Sequence, residues 1–168
     1  MKKLGLLLIA VIFTTSLQAQ SKAAEDFINK YKEDRDASHV TLEGNIFQLI
    51  ANIAEFAEDE DAETMGRIAK GIKSMNILKL DTYKAGIDMK EIDALHASIK
   101  GEGYEEMMSA RDGREHIRFL AKTNDSQINN MLIMIKDGDD EFALINLDGV
   151  LEMKDLAYLA ENHRKWSK

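Results

Sequence analysis

The apolar and polar residues of this chain follow two different periods. Between residues 21 and 101 the apolar residues recur three or four positions apart, which predicts four amphipathic helices, with short strands at 39–42 and 75–80. Asn45 and Asp88 are suited to begin two of these helices, since a Gln or Glu three residues later completes a capping box. The predicted inward faces are Ala24, Phe27, Ile28 and Tyr31; Ile46, Leu49, Ile50, Ile53 and Ala57; Met65, Ile68, Ala69 and Ile72; and Ile92, Leu95, His96 and Ile99.

From Tyr104 onward the period shortens to two, which is the spacing of a strand. Turn-forming residues cluster at 112–113, 123–126 and 137–140, and the pair Asp112-Gly113 is a strong signal for a tight hairpin. Four successive antiparallel strands, a meander, are therefore predicted to end near Gly149. A last helix is predicted over 153–163, with the inward residues Met153, Leu156, Leu159 and Ala160.

These elements predict a single α+β domain over residues 20–168. Its sheet of about six strands, antiparallel and partly mixed, would pack against about five helices. The preceding segment, "MKKLGLLLIAVIFTTSLQAQ", has a basic start, an apolar run at 4–13 and a small-residue cleavage pattern, as a secretory signal peptide does. We therefore expect residues 1–19 to be removed and the protein to be periplasmic or secreted, without membrane insertion after cleavage.

The composition narrows the classes of function. The formal net charge is −8, and the chain contains no cysteine and no proline. A negative charge disfavours nucleic acid and anionic membrane surfaces as partners, because both attract basic residues. Without cysteine there is no disulfide, no thiol nucleophile and no site for amino-terminal lipid attachment.

An acidic stretch, "IKDGDDEFALINLDG", raises the question of calcium. Asp137, Asp139, Glu141 and Asp148 occupy four acidic positions of an EF-hand loop, but Phe142 replaces the glycine that such a loop needs for its sharp turn. We interpret the stretch as a hairpin turn between two strands. Weak binding of a divalent cation at the acidic loops is kept as an alternative.

The sequence contains no nucleophile elbow, no phosphate-binding loop and no paired-histidine metal motif, so no catalytic, cofactor-binding or metal-binding residue is assigned. A hydrolase site would require distant residues to meet, for example His39, His96 or His116 with a carboxylate. That possibility is a second alternative. The expectation is a non-enzymatic protein without a cofactor.

The segments "MLIMI" at 131–135 and "FALI" at 142–145 are apolar at every position, whereas a half-solvated strand alternates. The simpler interpretation is that helices cover both sides of these central strands. The other is that one side is left as an apolar groove or a homodimer face, with Leu132, Met134, Ala143 and Ile145 as the partner surface. The leading hypothesis is a protein that binds another protein or a small apolar ligand.

The chain resembles the family called domain of unknown function 4252, small exported proteins of Gram-negative bacteria. The likeness is carried by "FINKYKEDRDASHVTL", "NIFQLIANIA", "GYEEMMSARDGREHIRFLAK" and, above all, "INNMLIMIKDGDDEFALINLDGVLEMKDLAYLA". It implies export, helices in the first half and a strand meander in the second, without an established activity. It also suggests a role in envelope signalling. The lipid anchor of some members is not expected here, because the necessary cysteine is missing.

Overall fold

The computed structural model of the protein describes residues 20–57, 60–138 and 140–158. The predicted signal peptide, Asp139, and residues Leu159 and Ala160 of the predicted last helix lie outside these ranges. Four helices are bounded as follows: α1 (Lys22–Tyr31), α2 (Gly44–Ala54), α3 (Glu60–Gly71) and α4 (Met89–Gly101). A fifth helix, α5, begins at residue 153 and is described as far as residue 158.

Six strands form one sheet. They are β1 (Ala37–Glu43), β2 (Ile72–Asp81), β3 (Glu105–Asp112), β4 (Glu115–Asn124), β5 (Gln127–Asp137) and β6 (Glu141–Glu152). Their order across the sheet is β1-β2-β6-β5-β4-β3, and each neighbouring pair is antiparallel. The predicted α+β class and the meander are confirmed.

The partly mixed sheet that the sequence suggested is wrong, and the connection between β1 and β2 explains why. The helices α2 and α3 pack on each other as a hairpin, so the chain returns to the end of the sheet that it left. Glu43 at the end of β1 therefore lies opposite Ser74 near the start of β2. Two strands joined in this way must run in opposite directions.

Local chemistry explains most of the element boundaries. The Asp88 side chain accepts a hydrogen bond of 2.9 Å from the backbone N–H of Glu91, which confirms the predicted cap of α4. Ser21 caps α1 in the same way through the N–H of Ala24. The predicted cap at Asn45 is wrong, because α2 already begins at Gly44, without a side-chain cap.

The turns of the meander lie where the sequence predicted them. Asp125, Gly113 and Gly138 adopt positive φ angles of 51°, 57° and 60°, which Gly and Asp tolerate better than other residues. The last strand is longer than predicted, since β6 continues through Gly149 to Glu152. A register shift between β5 and β6 accommodates this extension.

The buried apolar residues form two separate cores. The larger one joins α1 and α4 to the middle of the sheet through residues that include Phe27, Ile92, Ile99, Leu78, Leu120, Leu132, Phe142 and Leu144. The smaller one joins α2 and α3 to one end of the sheet through Phe47, Ala51, Ala69, Ile72, Ala121, Ile128, Leu147 and Leu151. Helices therefore lie on both sides of the sheet, but they bury different lengths of it.

Candidate functional surface

The register of the strands sorts the apolar residues of the sheet onto its two faces, because alternate residues of a strand point in opposite directions. On one face, the neighbours Leu78, Leu144 and Met134 are buried in the core beneath α1 and α4. The opposite face carries an apolar row that crosses all six strands in register: Val40, Ile77, Ile145, Ile133, Phe119 and Met108.

A second apolar row runs beside the first, two residues further along the strands. Its members are Ala143, Ile135, Ile117 and Ala110. We call these ten residues the open sheet face. They belong to neither core, and the edge members Val40 and Met108 are 44% and 48% exposed. The central members are partly exposed, as expected for side chains that are shielded only by their neighbours on the same sheet.

The helices on this side of the sheet cover only one end of it. Leu42, Met75, Leu147 and Met131 lie on the same face as the open rows, but beneath α2 and α3. Beyond that end the rows of the open sheet face have no covering helix among the described residues.

The helix α2 exposes a second apolar surface. Its inward residues are Phe47 and Ala51, not the ones that the sequence predicted. Four of the residues predicted to face the core, which we call the α2 stripe, are instead exposed by 39% to 61%: Ile46, Leu49, Ile50 and Ile53. The fifth, Ala57, lies beyond the end of α2 and is exposed as well. An exposed stripe of large aliphatic residues loses the stabilisation that burial would give, at about 25 cal/mol per Å². Such a surface is typical of an interaction site.

The four residues proposed from the sequence as a partner surface lie on different faces. Leu132 and Met134 are buried beneath α1 and α4, with exposed fractions of 0% and 3%. Ala143 and Ile145 belong to the open sheet face. The pairing of Ile133 with Ile145 and of Ile135 with Ala143 shows which residues of β5 share that face. Sequence reasoning missed these isoleucines because it had no register for β5 against β6.

The open sheet face is bordered by acidic residues on the side away from α2 and α3. Two residues beyond the second apolar row, β2, β6, β5, β4 and β3 each contribute one carboxylate, and we call this set the acidic row: Asp81, Glu141, Asp137, Glu115 and Asp112. Glu141 lies directly opposite both Asp81 and Asp137, and Glu115 lies opposite Asp112. Like charges in such positions destabilise a sheet.

Among the described residues, a histidine pairs with a carboxylate near the edge of the face that α1 and α4 cover. His96 Nε2 lies 2.9 Å from Glu106 Oε2, and His116 Nε2 lies 2.9 Å from Ser109 Oγ. Burial lowers the pKa of His116, and the nearby Arg118 and Arg111 lower it further. The cavity beside His116 measures about 20 Å³, which is room for about one water molecule. This arrangement offers a substrate no enclosed site.

Of the larger cavities, two have linings made up mostly of polar or charged side chains. A cleft of about 600 Å³ between α2 and α3 is flanked by the ion pairs Lys70–Glu55 and Arg67–Glu63. A cavity of about 190 Å³ between α1 and the β1 edge is lined by asparagines and other polar residues. Small-molecule sites are usually lined mainly by apolar side chains, so neither cavity has the character of one.

The acidic stretch does not converge on a point. Asp137 lies opposite Glu141 beside the turn, while Asp148 lies opposite Ser74 towards the other end of β6. Within 20–57, 60–138 and 140–158, no group of three or more His, Cys, Asp or Glu side chains is arranged to hold a metal ion.

The fold and this surface define a class: an antiparallel α+β domain whose described helices cover the middle of one sheet face and one end of the other. The chain belongs to the family described as Domain of unknown function (DUF4252), which matches residues 31–159. No curated protein and no solved structure matches the chain significantly. Of the helices in the described part of the chain, none is long and apolar enough to span a membrane.

Proposed function

We propose that the protein is an exported, non-enzymatic binding protein of the cell envelope, whose partner docks on the open sheet face. The observation that carries this proposal is the in-register apolar row across six strands, outside both cores. Large exposed apolar patches on soluble proteins mark interaction sites, because an unbound patch leaves favourable burial unused. Export is supported by the signal-like residues 1–19.

The helix that carries the α2 stripe packs on the same face of the sheet as the open sheet face. The stripe therefore supports this side of the molecule as the binding side. Phe47 and Ala51 of α2 belong to the smaller core, which lies on the face of the sheet that carries the open sheet face. The exposed residues Leu49 and Ile53 therefore belong to a helix next to the open sheet face. A protein partner of ordinary size buries about 800 Å² on each side, so it can contact more than one element of the fold.

A titration with the neutral apolar dye N-phenyl-1-naphthylamine tests the proposal. We expect fluorescence enhancement with the chain from Gln20 onward and loss of most of it in the double variant Ile133→Thr/Ile145→Thr, since threonine keeps the β-branched shape and removes apolar surface. The control is Tyr83→Thr, which removes a side chain that is 85% exposed in the turn after β2. Equal fluorescence of the double variant and the wild-type protein contradicts the proposal.

Affinity capture from the native periplasm identifies the partner. The wild-type protein and the double variant are used as parallel baits. The expected partner is retained by the wild-type protein and by Tyr83→Thr but not by the double variant.

A further inference from the structure

We propose that the occupant of the open sheet face is a cationic amphipathic helix of a partner protein, whose apolar side covers the two apolar rows and whose Lys and Arg residues meet the acidic row. This inference rests on the proposed function and adds the chemistry of the partner. It depends on the position of the five carboxylates next to the apolar rows, and not on the carboxylates alone.

Among the described residues, ion pairs join two of the five carboxylates of the acidic row to lysines. Lys79 pairs with Glu141 at 2.9 Å, and Lys84 pairs with Asp81 at 3.0 Å. Arg114 lies in the turn after β3, beside Gly138. Arg35 lines the same cleft as Asp81 and Glu141. The described cations near the acidic row do not outnumber its carboxylates, and the whole chain has a net charge of −8. A basic partner would relieve the repulsion between the carboxylates that face each other across the strands.

The dimensions of the surface suit a helix. Six strands separated by about 4.8 Å give a row about 24 Å long. At 1.5 Å per residue, a helix of about 16 residues spans that length. The two apolar rows lie about 7 Å apart along the strands, which is within the diameter of about 10 Å of one helix. One edge of such a helix then lies along the acidic row.

A second copy of the chain fits this surface less well. The acidic row of one copy would approach another protein of net charge −8. Like-charge approach disfavours association, particularly at low salt. A cationic segment is attracted by the same negative charge, which also raises the rate at which it associates.

Two 18-residue peptides with the same leucine face, one with lysines and one with glutamates on the polar face, serve as probes. We expect the lysine peptide to bind the wild-type chain from Gln20 at least about tenfold more tightly than the glutamate peptide, with an affinity that falls as salt rises. Fluorescence anisotropy of labelled peptides gives both affinities. Sedimentation velocity measures whether the protein is a monomer under the same conditions.

The decisive comparison uses two variants of equal charge. The row variant Asp112→Asn/Glu115→Gln/Asp137→Asn removes three carboxylates of the acidic row. The control Glu25→Gln/Glu33→Gln/Glu60→Gln removes three exposed carboxylates from elsewhere on the chain. We expect the row variant to bind the lysine peptide several-fold more weakly than the control does.

The outcomes separate this inference from the proposed function. Equal affinities of the row variant and the control overturn the cationic partner. If both peptides bind equally and only Ile133→Thr/Ile145→Thr weakens them, the binding surface stands and its charge preference is wrong. A stable dimer that excludes the lysine peptide overturns the inference in favour of a second copy. If neither peptide binds and the apolar dye does not respond to the double variant, the proposed function fails as well.

Discussion

The two faces of the sheet are built from the same strands, but the helices in the described part of the chain cover them unequally. Leu144 on β6 is fully buried beneath α1 and α4, whereas its neighbour Ile145 points to the other side and is partly exposed. Leu132 and Ile133 on β5 differ in the same way. An apolar strand therefore does not by itself indicate burial on both sides, since the placement of the helices decides it.

The difference follows from where the connections cross the sheet. The helices α1 and α4 pack together over the middle of one face, where they meet β2, β5 and β6. The hairpin of α2 and α3 leaves β1 and returns into β2 at one end of the other face. Two helices that start and finish at the same end reach only the nearest rows. Within the described ranges, the apolar residues on the rest of that face remain partly or fully exposed.

The largest expected effect contrasts adjacent residues of β6. Leu144→Ala should lower the free energy of unfolding by about 2–5 kcal/mol, because it removes buried methyl groups and leaves a cavity. Ile145→Ala should cost about 1 kcal/mol, mainly through the lower strand preference of alanine. Urea unfolding measures both values. Similar losses for the two variants would mean that both faces are equally buried.

The next effect concerns the close backbone contact between Gly149 of β6 and Gly71 at the end of α3, which holds the α2–α3 hairpin against the sheet. A Cβ atom at Gly149 would clash with the carbonyl oxygen of Gly71 at the end of α3. Gly149→Ala must displace that backbone, and we expect a loss of about 1–3 kcal/mol. Gly101→Ala is the control, since its Cβ would have no neighbour within 4 Å. Equal melting temperatures for the two variants would show that the backbone around Gly71 and Gly149 accommodates a Cβ atom without loss of stability.

A smaller effect tests β3, an edge strand of the sheet. All eight residues of β3 are exposed, so the β3–β4 hairpin depends largely on its turn. Gly113 has a φ of 57°, and Gly113→Val should cost about 1–2 kcal/mol there. Hydrogen exchange should accelerate first in β3 and β4 and leave the covered face protected. Uniform acceleration throughout the sheet would indicate that β3 is part of the main cooperative unit.

The smallest effect concerns the hydrogen bonds from Lys30 and Tyr31 of α1 to Glu91 of α4. Their contribution to stability depends on pH. The hydrogen bond from Lys30 lowers the pKa of Glu91, and the one from Tyr31 acts in the same direction. A lowered pKa in the folded state stabilises the protein above the ordinary glutamate value of about 4.3, and this contribution is lost as the pH falls through the folded-state pKa. Glu91→Gln should therefore cost about 0.2–1 kcal/mol at pH 7.

The control for this link is the same measurement in acid. Well below the pKa of Glu91 in the folded state, wild-type protein and Glu91→Gln should unfold at nearly equal urea concentrations. A difference that persists there would assign the effect to packing and not to charge.

Local patterns predicted most elements, and the failures have a common cause. The cap at Asp88, the turns at Gly113 and Gly138, and the inward residues of α1 depend on interactions within a few positions along the chain. The α2 stripe was predicted to face inward, because periodicity identifies an apolar face without identifying what lies opposite it. The same limit placed Leu132 and Ile145 on one surface, although they lie on opposite sides of the sheet.

The sequence by itself determined the elements, the family and the presence of a meander, because these depend on short-range chemistry and on spacing. Only the tertiary structure decided which apolar residues are covered. Strand register and helix placement are set by contacts between residues far apart in the chain, such as Ile77 with Ile145. For that reason the acidic row, whose members come from five strands, is visible only in the folded sheet.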